Sequence, residues 1–460
     1  VDRIPYAKYV NVTDSDASAG MTIYPISSTD GGNNNNWNFS ANWLTWDGST
    51  SADFGTADNW TPSGTPDGTK RLNIDGNGGN APVISSTAAA LEILLGGSQT
   101  SSLTVDNTLT VGESVSVMGF GTLTANKAST IGGNLTLLNG ASLTHANNTT
   151  TEANKIDLTI GGDFHLGDNA SINVDYLGYN AGSGPGYGPY AWGASHGGQG
   201  GAGTGPAKDT YGSIVAPTNI GSGGTTGADG GGAIRIAATG EARLYGYISA
   251  NGEPNGSYNS TGAGGSIFIT ASNLVGDAAL EAEGGSGTAY GAAGGGRISL
   301  VSTLGTSFDQ ITARVRGGTS GSTTDGANGT IYREIGADGS GGGTALVDCD
   351  GRSPDSSGYD SATTVLPDTG YVTDELTAAL LVVSNANTHM RVMADLYVGD
   401  LLVYDSTTIT LGIYTMYVDS AEHHLDDRAQ PNAGGPTNNV DDYSHIVWIG
   451  AYPGTVIMFQ

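Results

Sequence analysis

The sequence predicts an all-β chain wound as a right-handed parallel β-helix (a β-solenoid), with an N-terminal cap and a C-terminal β-rich region. Three observations carry this expectation. Glycine, threonine, serine, asparagine and aspartate dominate nearly every window, with 76 glycines in 460 residues, which disfavours long helices. Valine, isoleucine, threonine and tyrosine are plentiful, which favours strands joined by tight turns. Most tellingly, a glycine cluster followed by a short apolar strand recurs, as "GADGGGAIRI" at 227–236, "GAGGSIFI" at 262–269 and "GAAGGGRISL" at 291–300.

The recurrence sets a register. Ile234, Ile267 and Ile298 hold equivalent places, and "GANGTIY" puts Ile331 next in the series. The fourth copy departs from the pattern, because Arg333 falls where Ile236, Ile269 and Leu300 stand. Each repeat has a second strand, "YISANG", "LEAEGG" and "ARVRGG". Alternation then places Ile248, Leu280 and Ala313 in one inward column and Ala250, Ala282 and Val315 in the next. The same register sets Glu281 beside Arg314 and Glu283 beside Arg316 on the outward face, where each pair contributes about 0.2–1 kcal/mol. A repeat of this length, built of short strands, reads as a stacked coil. The glycines are expected to supply sharp corners, positive φ angles and close approach between coils.

The elements follow in order. Residues 1–85 are expected to form an N-terminal strand and cap. "IPYAKYVNV" at 4–12 reads as a strand whose Tyr6, Tyr9 and Val10 meet a neighbouring copy. Trp37, Trp43, Trp46, Phe54 and Trp60 read as the core of a cap over the open end of the coil, with a sugar-stacking surface as the alternative. Residues 86–345 form the solenoid, with short alternating strands over 90–175. Residues 176–232 are a glycine-rich insertion that either packs along the coil or meets another molecule. In it Tyr187, Tyr190, Trp192 and His196 are expected to form a contact patch, the first three as glycan-binding candidates. Residues 335–345 resemble a hinge. Residues 346–460 read as further coils or a small second β-domain. Their apolar end, "SHIVWIGAYPGTVIMFQ", offers Val456, Ile457 and Phe459 to an internal or intersubunit partner.

The runs "GASHGGQGG" (193–201), "YGS" (211–213), "GSGG" (221–224), "GGGAIRI" (230–236), "ISANGE" (248–253), "GAGGSIFI" (262–269) and "GGGRISL" (294–300) resemble those of large glycine-rich secreted surface proteins of bacteria and archaea. The stretch "ADNWTPSGTPDGTKRLNI" is similar to the first turn of adhesin-type parallel β-helices. The resemblance covers roughly residues 160–335. It implies a β-helix at the cell surface and no particular activity, because this fold hosts enzymes, adhesins and structural parts alike.

Composition narrows the function. A formal charge of −28, from 44 acidic and 16 basic residues, repels nucleic acid and anionic membranes. No apolar run is long enough to span a membrane as a helix. The single cysteine, Cys349, leaves no internal disulfide. Val1 is compatible with a mature end left by a signal peptide. Sequons mark Asn11, Asn38, Asn134, Asn255, Asn259 and Asn328 as glycosylation candidates, alongside Asn59, Asn148 and Asn169. No catalytic residue stands out: carboxylate pairs are unmarked by context, and no phosphate loop, zinc pattern or serine elbow occurs. No cofactor is expected. Asp14 and Asp16, Asp75, and Asp348 and Asp350 are weak candidates for Ca²⁺, although such Asp-Gly clusters also serve as plain turns. "EHHLDD" at 422–427 is a further cation candidate, read more simply as an exposed loop. The expected function is an extracellular structural protein, the self-assembling subunit of a surface filament or layer, or an adhesin, with copies of itself or surface polysaccharide as partners. The alternative is a carbohydrate-binding or polysaccharide-degrading β-helix. An ice-binding surface fits less well, because the threonines look irregular.

Overall fold

The computed structural model describes residues 7–189, 192–201, 208–225, 227–255, 260–288, 291–321, 325–348, 364–366, 375–385, 388–404, 407–420, 439–440 and 445–449. Among them the chain is all-β apart from one short 3-10 turn, Ala57–Asn59. Three large sheets, of 11, 9 and 8 strands, account for most of it. Their pairing is parallel apart from the end strand of the second sheet and one joint in the first.

The chain visits the three sheets in rotation. Ala88–Ala90 lies in the first, Glu92–Leu95 in the second and Ser101–Val105 in the third. Leu109–Val111, Val115–Val117 and Gly121–Ala125 then repeat the order, each parallel to its predecessor. Every second residue points inward, so Leu103, Leu123, Leu143 and Ile172 stack in one buried column of the third sheet. Burying each such side chain contributes about 1.5–3 kcal/mol. Parallel pairing begins upstream of residue 86, since Trp43–Trp46 pairs with Arg71–Ile74 and that strand with Glu92–Leu95.

The register inferred from the repeat is present. Ile234, Ile267, Ile298 and Ile331 pair in succession. Ile248, Leu280 and Ala313 likewise form a column. Arg314 Nη1 lies 3.3 Å from Glu281 Oε1 and Arg316 Nε 3.9 Å from Glu283 Oε1. Arg333 breaks the apolar column because the first core ends there. Its guanidinium lies over the Phe308 ring and donates to the Ile311 carbonyl.

Thr330–Ile335 is shared between two cores. Ile331 packs on the first, while Tyr332 is buried in a second core. The chain then reverses, and Thr344–Asp348 pairs antiparallel with Thr330–Ile335. Residues 335–345, expected as a hinge, carry the turn of this reversal. Gly341 N donates to Glu334, Gly342 N to Gly339 O and Gly343 N to the Tyr332 hydroxyl. Gly339, at φ 75°, occupies the left-handed region that other residues avoid. Beyond the turn parallel stacking resumes. Leu380–Ser384 and Asp400–Val403 extend the first sheet, and four-stranded and three-stranded parallel sheets complete the second core.

The N-terminal segment lies on the outside of the second sheet. Ile26 packs with Leu94 and Met118, and Lys8 forms an ion pair with Asp75 at 3.0 Å. Trp46, Phe54 and Trp60 are buried at the N-terminal end of the stack, with Trp60 edge-on to Trp46 and to Phe54 at 5.0 and 5.3 Å. Trp37 and Trp43 are half-buried.

Candidate functional site

The glycine clusters do more than turn the chain. Between the third and first sheets, each long round makes a glycine-rich excursion, over 250–265, 282–296 and 315–329. These excursions bond to each other and to the insertion in several directions. Ala293 N donates to Gly285 O, Gly294 N to Ala194 O and Gly295 N to Ala327 O. Gly262, Ala263 and Gly264 donate to Glu253, Ser222 and Gly294. Three consecutive donors thus reach three different segments, which no strand pairing within one sheet would allow. None of these glycines has a positive φ. What they supply is closeness: a Cβ on Gly294 would overlap the Gly198 carbonyl. Positive φ is met at Gly227, at φ 80°, and the expected close approach is met by the glycines of the excursions.

The described part of the insertion is anchored rather than presented outward. His196, expected on a contact patch, is fully buried. Its Nδ1–H donates to Gly264 O at 2.7 Å and its ring leans on Tyr211, 4.6 Å away. Burial first, and the Arg297 charge second, lower its pKa to about 3. Arg297 is buried too, donating from Nε to Tyr211 O at 3.1 Å and from Nη1 to Thr330 Oγ1 at 2.8 Å. Tyr211 Oη bonds Ile220 O and Ser222 Oγ. Further on, Thr210 Oγ1 donates to Val365 O, and Ile214 enters the second core. The insertion therefore ties both cores together.

This burial removes Trp192, only 8% exposed, from the glycan-stacking candidates. Tyr187 is 37% exposed, with Lys208 Nζ 5.5 Å above its ring, and Tyr190 lies outside the described residues. Asp75 accepts from Ser98 N, Ser98 Oγ, Gln99 N and Lys8 Nζ, which makes it a turn anchor. Asp16 accepts from Ser18 N, Asp14 from Asn33, and Asp348 from Ser384 and Asn385. Asp350 and the 422–427 cluster lie outside the described residues. Among those described, no group of three or more His, Cys, Asp and Glu could hold a metal. Asn328 is buried, accepting from Gly317 N and donating to Asp348 O, so no glycan fits there. Asn59 and Asn148 are buried as well. Asn11, Asn38 and Asn134 are exposed and Asn255 is half-buried, whereas Asn259 is not among the described residues.

For assembly, the sequence named both ends of the chain. Tyr9 is 71% exposed and Val10 lies beside it at the surface. Their backbone, however, is already engaged within the chain: Tyr9 N donates to Ile26 O, Val10 O accepts from Thr29 N, and Asn11–Val12 pairs with Thr29–Asp30. That pairing takes up one edge of the strand, as it does for any end strand. Tyr6, Val456, Ile457 and Phe459 lie outside the described residues. Among those described, Asp400–Val403, Asn439–Val440 and Ile446–Trp448 are the terminal strands of their sheets, with one pairing partner each.

One groove was not anticipated. At the corner between the second and third sheets, a cavity of about 720 Å³ is lined by Leu138, Asn139, His165, Asp168, Arg243 and Tyr245. Three successive rounds supply these residues. Thr136, His165 and Arg243 are in register on the outward face of the second sheet. Tyr245 is 41% exposed, its ring 6.1 Å from His165. Arg243 Nε donates to Glu241 Oε1 at 2.6 Å, which fixes the guanidinium. The sequence concealed this group because the whole insertion separates His165 from Arg243. The only signal was the shared form of "FHLGDN" and "ARLYGY", two outward polar residues each followed by a corner.

Comparison with protein-family models, with curated proteins and with solved structures gives no match.

Proposed function

We propose that the chain is an extracellular structural protein, a right-handed parallel β-helix that adds end to end with copies of itself. The observation that supports this most directly is the pair of end strands, Asn439–Val440 and Ile446–Trp448, each with one pairing partner among the described residues. A strand with one free edge is a template for another chain. The two together, beside an apolar core that includes Ile446, offer a surface on which a second stack continues the pairing. Contact between such an end and a different surface of the next copy is heterologous, and heterologous contacts that do not close give filaments. The right hand follows from the near-universal handedness of parallel crossovers. A low content of lysine and arginine suits a surface location.

Electron microscopy of the protein isolated from its source, beside the recombinant chain, tests the reading. Regular filaments or sheets are expected, and Val447→Lys, which puts a charge on the outward face of an end strand without touching its bonds to Met416–Val418, should abolish them while leaving the melting temperature of the isolated chain unchanged. Single rods at every concentration would overturn the proposal.

A further inference from the structure

We infer that the groove at the corner of the second and third sheets binds an extended, uncharged saccharide. Its volume, about 720 Å³, is in the range of ligand sites, and its lining mixes polar and apolar surface in comparable parts. A saccharide presents apolar C–H faces and vicinal hydroxyls that both donate and accept. The groove answers both. The exposed Tyr245 ring, beside His165, offers a flat apolar platform, with Leu138 at the margin. Asn139 supplies a donor and an acceptor, Asp168 acceptors and Arg243 donors.

The groove's direction fits a chain. Its residues come from three successive rounds, spaced about 4.8 Å apart, of the order of one pyranose ring. At its margin Leu138 is held by packing on the cluster of Ile26, Leu94 and Met118. The groove is also preorganised, since Arg243 is held by Glu241 and the other groups stand on strands or their corners. Charge selects against acidic polymers. Arg243 is matched by Glu241, Asp168 adds a negative charge, and the whole chain carries −28.

The inference is independent of self-assembly and is tested on the full chain by calorimetric titration and saturation-transfer NMR with cellohexaose, mannohexaose, laminarihexaose and an oligogalacturonate. At least one neutral hexaose should bind. Tyr245→Ala and Arg243→Ala should each weaken it about tenfold. Tyr245→Phe, which keeps the ring, and Tyr187→Ala, in the insertion, should leave it unchanged. Circular-dichroism melts of the four variants establish that each is folded. Silence with all three neutral hexaoses, affinity indifferent to both alanine variants, or preference for the galacturonate would each overturn the assignment.

Discussion

Replacing Gly224 by alanine tests whether the glycine clusters form a close-packed lattice. A Cβ there would lie 2.6 Å from the Ser260 carbonyl oxygen, 2.7 Å from its carbon and 2.8 Å from the Thr261 oxygen. All three are backbone atoms, so no side-chain rotation relieves the overlap. Ordinary contact begins at 3.4 Å, and the neighbouring segment must therefore move by the better part of an ångström. That segment is itself bonded: Ala263 N donates to Ser222 O and Gly262 N to Glu253 O. Overpacking of this kind costs about 1–3 kcal/mol. Alanine keeps the N–H that Gly224 gives to Ala228 O, so the loss is steric. It must also outweigh the roughly 0.4–1 kcal/mol that alanine gains by restricting the unfolded chain. Gly68 is the control, with nothing within 4 Å of its would-be Cβ and no positive φ. Denaturant unfolding should show Gly224→Ala destabilised by about 1–3 kcal/mol and Gly68→Ala unchanged or slightly stabilised. Hydrogen exchange should rise in the peptides around 219–224 and 260–265. Equal stability of the two variants would refute the lattice.

Three further outcomes are expected. His145, its Nδ1–H bonded to Ala146 O and its Nε2 accepting from Ala233 N, has a pKa lowered by burial to about 4, and His196 one lowered to about 3. The unfolded chain takes up these protons from pH 6.5 downward while the folded one does not, so stability is fullest above 6.5 and falls with acidification. Denaturation midpoints should drop by about 2 kcal/mol per histidine between pH 7 and pH 5, and His145→Asn should flatten that slope. A double-mutant cycle on Glu281 and Arg314 should give a coupling near the low end of about 0.2–1 kcal/mol, vanishing at high salt, because the Arg314 side chain is 50% exposed. Trp60→Ala, which empties the ring's place between Trp46 and Phe54, should cost about 3–5 kcal/mol in the same unfolding assay.

The parts of the molecule readable in advance are those that repeat. Ile234, Ile267 and Ile298 could be aligned by eye because each follows a glycine cluster, and the Glu281–Arg314 pair followed from aligning the second strands on Gly252, Gly284 and Gly317. The meaning of the clusters was less accessible. A glycine required for positive φ, such as Gly339, and one required for closeness, such as Gly224, are written with the same letter. Only knowledge of which segments lie side by side separates them. The same limit hid the burial of His196 and Trp192, aromatic residues in a polar, glycine-rich stretch that looks like surface until its neighbours are placed. The groove at Tyr245 was hidden by distance along the chain, since the insertion intervenes between two rounds that touch.

The two patterns of hydrogen bonding explain why the rounds change length along the stack. In the short rounds, where Leu109 pairs with Ser129, nearly every residue is in a strand or a corner, and the backbone bonds run between successive rounds or close a corner, as Gly121 N does on Met118 O. In the long rounds, where Ile234 pairs with Ile267, the excursions add donors that no sheet can use. An excursion of one round alone would leave those amides unpaired and partly buried, at a cost of about 1–3 kcal/mol for each buried group. Three consecutive excursions satisfy part of the set, as Gly264 N does with Gly294 O and Gly295 N with Ala327 O. The insertion satisfies others, because Gly294 N donates to Ala194 O and Ala263 N to Ser222 O, and in return the insertion's own Gly231 N donates to Ala263 O. The insertion and the excursions are thus mutually necessary. The polar hub of His196, Tyr211, Ser222 and Arg297 sits where the two meet, and it binds them with directional bonds in a region too rich in glycine to hold itself by apolar packing.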